Sequence, residues 1–188
     1  MHTVMIPAKS RAISSALVTL LAAASPLSLI WLLYAVDVLF LPYPLARTVA
    51  FLGWCLFTML MVVFPLWLHD ASMRVSRVSL LPLPFSRVEA AVAFFVPVRH
   101  VLMPYSVMRA LLFRATGQLS TASLVKTWSA SWLAMLSGAG IYVLHSLHLI
   151  RVTYDLLTLA IYGPAAVFCF LSLLLVLRFE NGLKSAGH

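Results

Sequence analysis

Charge is what this chain has least of. Only 10% of its 188 residues are Asp, Glu, Lys or Arg, against about 25% in an ordinary soluble domain. So small a polar complement cannot clothe a water-soluble globule, and it excludes a disordered chain, which needs high charge and little hydrophobicity. Acid is scarcer still, with five Asp and Glu against 13 Lys and Arg. The few carboxylates form no pair within one run, and neither a glycine-rich phosphate loop nor a zincin motif is written in the chain. No catalytic constellation can be assembled, so the expectation is a protein that is not an enzyme. Cysteine is nearly absent: Cys55 and Cys169 both sit in apolar runs, which leaves no disulfide framework and no zinc spacing. Counted from the helix ends, the two differ in depth by about 9 Å, more than the roughly 7 Å a disulfide spans between Cα atoms. Both are therefore expected as small apolar residues.

What the chain has in abundance is hydrocarbon, 63% of it being hydrophobic. Four uncharged runs, at about 12–36, 48–68, 127–150 and 156–177, each meet the roughly 20 residues that a helix needs to cross a bilayer. The fold class expected is an all-α integral membrane protein of four transmembrane helices, with residues 1–188 forming a single membrane domain. Near the start, Lys9 and Arg11 precede an apolar run and Ala22-Ala23-Ala24-Ser25, an order like that of a signal peptide. The apolar run continues through residues 29–33, past any such cut, so the segment is read as a retained helix with a tolerated kink at Pro26.

A formal charge of +8 in a soluble protein would suggest nucleic acid. In a membrane protein the distribution of that charge is the signal, because cytoplasmic segments retain Lys and Arg, and no nucleic-acid partner is expected. Lys9 and Arg11 precede the first run, and Arg178 and Lys184 follow the last. Between the second and third lie Arg74, Arg77, Arg87, Arg99, Arg109, Arg114 and Lys126, against Asp70 and Glu89. The two remaining connections are nearly neutral. Both termini and the long connection are therefore expected in the cytoplasm. All five acidic residues are expected at helix ends or in loops, which argues against a proton-coupled path through the membrane.

The segment 70–126 is too apolar for a plain linker. Leu80-Leu81-Pro82-Leu83-Pro84-Phe85 should run extended. Residues 90–97, ended by Pro97, are too short to span and suit a re-entrant or interfacial helix. Pro104 to Arg114 reads as an amphipathic helix, with Tyr105, Val107, Met108, Leu111 and Leu112 on one face and Ser106, Arg109 and Arg114 on the other. The arginines at 74, 77, 87, 99, 109 and 114 are the candidate contacts to anionic phospholipid or to a membrane protein partner. Their plainer role is to set topology.

Phe94-Phe95-Val96-Pro97-Val98-Arg99-His100, followed by Pro104-Tyr105-Ser106-Val107-Met108-Arg109, resembles the signature of an uncharacterised family of bacterial four-span membrane proteins. Pro97, Pro104, Tyr105, Val107 and Arg109 match it; Phe94 replaces a tryptophan, His100 an asparagine and Ala110 an acidic residue. The resemblance covers about residues 45–150. It implies a four-span fold in a bacterial inner membrane, and no activity.

Two further patterns stand out. His145 and His148 are three residues apart near the outer end of the third run, a spacing that puts two side chains on one helical face; they are the candidate ligands for a metal or haem, with Asp37 and Asp155 at similar depth. Ala130, Ala134 and Gly138 form a small-xxx-small ridge suited to close helix packing within the bundle or in a homo-oligomer. The reading that follows is a non-catalytic scaffold or accessory subunit with an Arg-rich cytoplasmic face. The alternatives are an oligomeric channel or carrier for a small solute, and a haem- or metal-binding membrane protein.

Overall fold

The computed structural model describes residues 8–35, 42–78, 82–92, 103–117, 122–151 and 153–186. Those residues form six helices and no strand: α1 (Ala8–Ala35), α2 (Tyr43–Val78), α3 (Arg87–Val92), α4 (Met103–Thr116), α5 (Ala122–Ser146) and α6 (Tyr154–Ala186). Three of them, α1, α2 and α6, are long and apolar enough to cross a membrane. The run expected to be the third span does form a helix, α5, but Ser129, Ser131, Ser137, Trp128 and Trp132 dilute its hydrocarbon and it falls outside that set. Large apolar side chains point outward: Phe51, Val62, Leu66 and Phe170 are each more than half exposed. Patches of that kind call for a lipid or protein neighbour.

α1 packs on both α2 and α6, and α5 packs on α6, so the four long helices form an arc in the order α2, α1, α6, α5. Between α2 and α5 the backbones stand apart, and the opening is bridged by the stacked rings of Phe64 and Trp128, 6.2 Å between centroids. At one end α4 closes that opening, lying mainly on α6 and touching α5 and α2, while α3 caps α2. The apolar face read from the sequence of α4 is real, but it is not left to lipid. Val107, Met108, Leu111 and Leu112 are fully buried in the bundle, because the gap in the arc offers protein carbon in place of headgroups.

The core is accordingly concentrated at this closed end, around Trp67, Trp128, Leu175 and Phe179. A chain of aromatic contacts ties its helices together: Phe64 to Trp67 at 5.7 Å, Trp67 to Phe179 at 5.3 Å and Trp128 to Phe168 at 5.5 Å between ring centroids. The Trp128 indole also donates to Ser172 Oγ at 2.7 Å, a buried bond from α5 to α6. Such pairing matters where no water reaches a polar group.

Local chemistry sets the short elements. Ser86 and Glu89 form a reciprocal capping box at the start of α3, with Ser86 N–H donating to Glu89 Oε2 at 2.8 Å and Glu89 N–H to Ser86 Oγ at 3.1 Å. α4 ends at Gly117, whose φ of 67° is left-handed and whose N–H reaches Phe113 O at 2.8 Å. Gly117→Ala is expected to lower the unfolding free energy in detergent by about 1 kcal/mol, because a Cβ there has open space but the wrong backbone sign. Residues 82–86 are non-helical, as the two prolines require. Residues 93–97 of the expected re-entrant helix, together with Arg99 and His100, lie outside the described residues.

Candidate functional site

At the closed end, the start of α1 meets the ends of α2 and α6 around a buried ionic cluster. Arg74 of α2, only 5% exposed, forms a bidentate pair with Glu180 of α6: Nη1 to Oε2 at 2.8 Å and Nη2 to Oε1 at 2.7 Å. The same Nη2 donates to Ser14 Oγ at 3.1 Å, and Ser14 donates in turn to Glu180 Oε1 at 2.8 Å. Trp67 Nε1 adds a longer bond to that oxygen, at 3.4 Å. On the other flank Asp70, one helical turn before Arg74, accepts from Ser10 Oγ of α1. Its Oδ2 lies 3.0 Å from Arg74 Nε, a separation that gives Coulomb attraction although the angle is too poor for a hydrogen bond. The guanidinium also lies 5.3 Å from the centroid of the Phe179 ring.

This arrangement corrects two expectations. Asp70 and Glu180 are not at helix ends: both lie within long helices and inside apolar segments long enough to span, Pro44–Arg77 and Leu159–Ser185. Arg74 does not belong to an exposed docking face, because two carboxylates draw it inward. The signal for Asp70 and Arg74 was in the sequence as an i,i+4 acid–base pair amid apolar residues at helical spacing. Nothing local announces that Glu180 is their partner.

Outside the cluster the closed end is strongly basic. Lys9, Arg11, Arg77, Arg87, Arg109, Lys126, Arg178 and Lys184 are exposed, and Arg114 is half-buried, with Nη2 donating to Pro82 O at 3.1 Å. All are carried by the beginnings of α1 and α5, the ends of α2 and α6, and by α3 and α4. The carboxylates of this end are engaged internally, Asp70 and Glu180 in the cluster and Glu89 in its capping box. The result is a cationic collar with little acid to neutralise it.

The other expected sites are not assembled as foreseen. α5 ends at Ser146, and His148 lies beyond it in a left-handed conformation, φ 57°, so it does not share a helical face with His145. Among the described residues no three His, Cys, Asp or Glu side chains come together; Asp37 and the side chain of Asp155 are not among those described. Of the small-residue ridge only Gly138 is buried, against α6, while Ala130 and Ala134 face outward. A four-residue step advances about 40° round the helix, so the buried line runs instead through Trp128, Ser131, Trp132, Met135 and Gly138. Cys55 and Cys169 are free thiols.

Comparisons of the chain with protein families, with curated proteins and with solved structures give no match.

Proposed function

We propose that this chain is a non-catalytic integral membrane protein, a scaffold or accessory subunit, whose basic collar engages anionic phospholipid headgroups. α5 is the fourth span in this reading, both termini are cytoplasmic, and the membrane is a bacterial inner membrane, in keeping with the four-span family that residues 94–109 resemble. The observation that carries the proposal is the asymmetry of charge at the closed end, where nine cations ring the bundle while Asp70 and Glu180 are turned inward and Glu89 is held in its capping box. Each exposed arginine near an anionic surface contributes about 1 kcal/mol, so several acting together select for lipid charge. In vesicles of phosphatidylcholine and phosphatidylglycerol, spin-labelled phosphatidylglycerol should be enriched in the shell around the wild type. Arg77→Gln, Arg87→Gln and Arg109→Gln combined should lower that preference several-fold. A preference unchanged by the triple substitution would defeat the proposal.

The ionic cluster favours a second reading, an oligomeric carrier, since ionisable residues within membrane helices commonly mark transport paths. Flux of a small anion or of protons into proteoliposomes, lost in Glu180→Gln, would support the carrier; vesicles that stay tight would leave the cluster as a lock between helices.

A further inference from the structure

Burial stops part-way along α1 and α6, the two central helices of the arc. The last buried residue of α1 is Ala24 and the first of α6 is Phe168; among the described side chains of residues 25–34 and 154–167 none is buried. A proline stands at each limit, Pro26 just beyond Ala24 and Pro164 one turn before Phe168. Each ring denies a helical donor to the carbonyl four residues earlier, Ala22 O or Ala160 O, and makes that turn the one at which the helix bends. Beside Pro26 the hydroxyls of Ser25 and Ser28 also compete for the ladder, donating to Leu21 O at 2.7 Å and Ala24 O at 2.9 Å. Pro65 of α2 differs, because it lies between Phe64 and Trp67, which are buried in the core and clamp its turn.

Toward the far end the contacts sort the four long helices into two pairs. Leu27 of α1 lies against Gly53 of α2, 3.8 Å from where a Cβ would stand, and Gly138 of α5 admits the Ala160 carbonyl of α6. The seam between the pairs is α1 against α6. Near the closed end a hydrogen bond crosses it, Ser14 to Glu180 at 2.8 Å. Farther out it is crossed by the rings of Trp31 and Tyr162, 5.5 Å between centroids, and by Leu32 against Gly163. Neither contact is directional, and Trp31 Nε1 has no acceptor among the described residues. We propose that α1 and α6 are hinged at Pro26 and Pro164, so that residues 27–35 and 154–163 part and close as a gate latched by Trp31 and Tyr162. α2 moves with α1 and α5 with α6, while the closed end stays fixed. A bend of about 20° at one proline carries the tip of its segment about 4 Å. The parted seam uncovers Cys169, whose thiol is hydrogen-bonded to Ser28 across it and is otherwise enclosed.

The test uses the full chain in lipid nanodiscs, with Cys55→Ala and Cys169→Ala leaving no native thiol to label. Nitroxides are placed on Leu33→Cys and Leu156→Cys beyond the two prolines, and in a second sample on Ala16→Cys and Leu177→Cys, which face outward in the packed half. Pulsed electron resonance then reads the distance between α1 and α6 at each level. The packed pair should give one narrow distance. The far pair should give an additional population about 4–8 Å longer, from a bend at one proline or at both. Pro26→Ala with Pro164→Ala should remove the longer population, and Tyr162→Ala, which takes away the latch, should enlarge it at least two-fold. Should the double proline variant fail to fold, Tyr162→Ala decides alone. A single narrow distance for the far pair would overturn the gate, as would a longer population left unchanged by the proline substitutions or by Tyr162→Ala.

Discussion

Arg74→Met should lower the unfolding free energy by about 3–5 kcal/mol, the usual loss when one partner of a buried ion pair is removed. The cluster holds one cation between two carboxylates, Asp70 and Glu180. Removing the cation leaves two buried negative charges close together, with only Ser10, Ser14 and Trp67 to solvate them. Glu180→Gln is expected to cost less, about 1–3 kcal/mol, since Arg74 keeps Asp70 and the amide oxygen can still accept from Ser14. Asp70→Asn should fall within about 1 kcal/mol of wild type: it makes the cluster neutral while the bidentate pair to Glu180 stays intact, and a weak flanking contact is lost. Combining Asp70→Asn, Arg74→Met and Glu180→Met should restore most of the stability lost in Arg74→Met, because an apolar replacement of a whole buried ionic group is often neutral. Reversible unfolding in mixed micelles measures all four. Equal losses for Arg74→Met and Asp70→Asn would show that the charge balance is not what holds the start of α1 to α2 and α6.

The same cluster marks the limit of what a single sequence discloses. The apolar runs of α1, α2 and α6 are legible because hydrocarbon needs about 20 residues to cross whatever else happens. The two faces of α4 are legible because periodicity is local, and the structure buries Val107, Met108, Leu111 and Leu112 while exposing Ser106 and Arg109. What covers the apolar face is not local, and there protein replaces headgroups. Asp70 ends an uncharged run and so reads as the start of a loop, yet α2 continues to Val78. Charge stops a helix only when the charge must reach water, and Arg74 supplies the compensation one turn later. Glu180 lies 106 residues away from Arg74 in sequence, and no spacing rule joins them. His145 and His148 fail for a nearer reason: the i,i+3 relation holds only inside a helix, and α5 ends between them.

Gly138→Ala should separate α5 from α6 and lower stability by about 1–3 kcal/mol, the range for overpacking a well-filled contact. A Cβ at Gly138 would stand 2.5 Å from the carbonyl oxygen of Ala160 and 2.9 Å from its carbon, and both are backbone atoms that cannot rotate away. The identity of that carbonyl explains why α5 comes so close. Four residues on is Pro164, inside α6, which has no N–H and whose ring pushes against the carbonyl of residue i−4. Ala160 O therefore lacks its helical donor, and in a dry setting such an oxygen is best met by the Cα–H groups of a neighbouring glycine. Proline and glycine on adjacent helices act as one device, and a double-mutant cycle can measure it. Pro164→Ala returns the missing donor and draws the oxygen back into its own ladder, so Gly138→Ala should cost less in that background than in the wild type. A coupling of about 0.5–3 kcal/mol is the range seen for residues in direct contact. Unfolding midpoints of the wild type, the two single variants and the double variant in one detergent supply the cycle. If Gly138→Ala costs the same with and without Pro164, the close approach owes nothing to the freed carbonyl, and the small residue serves packing alone.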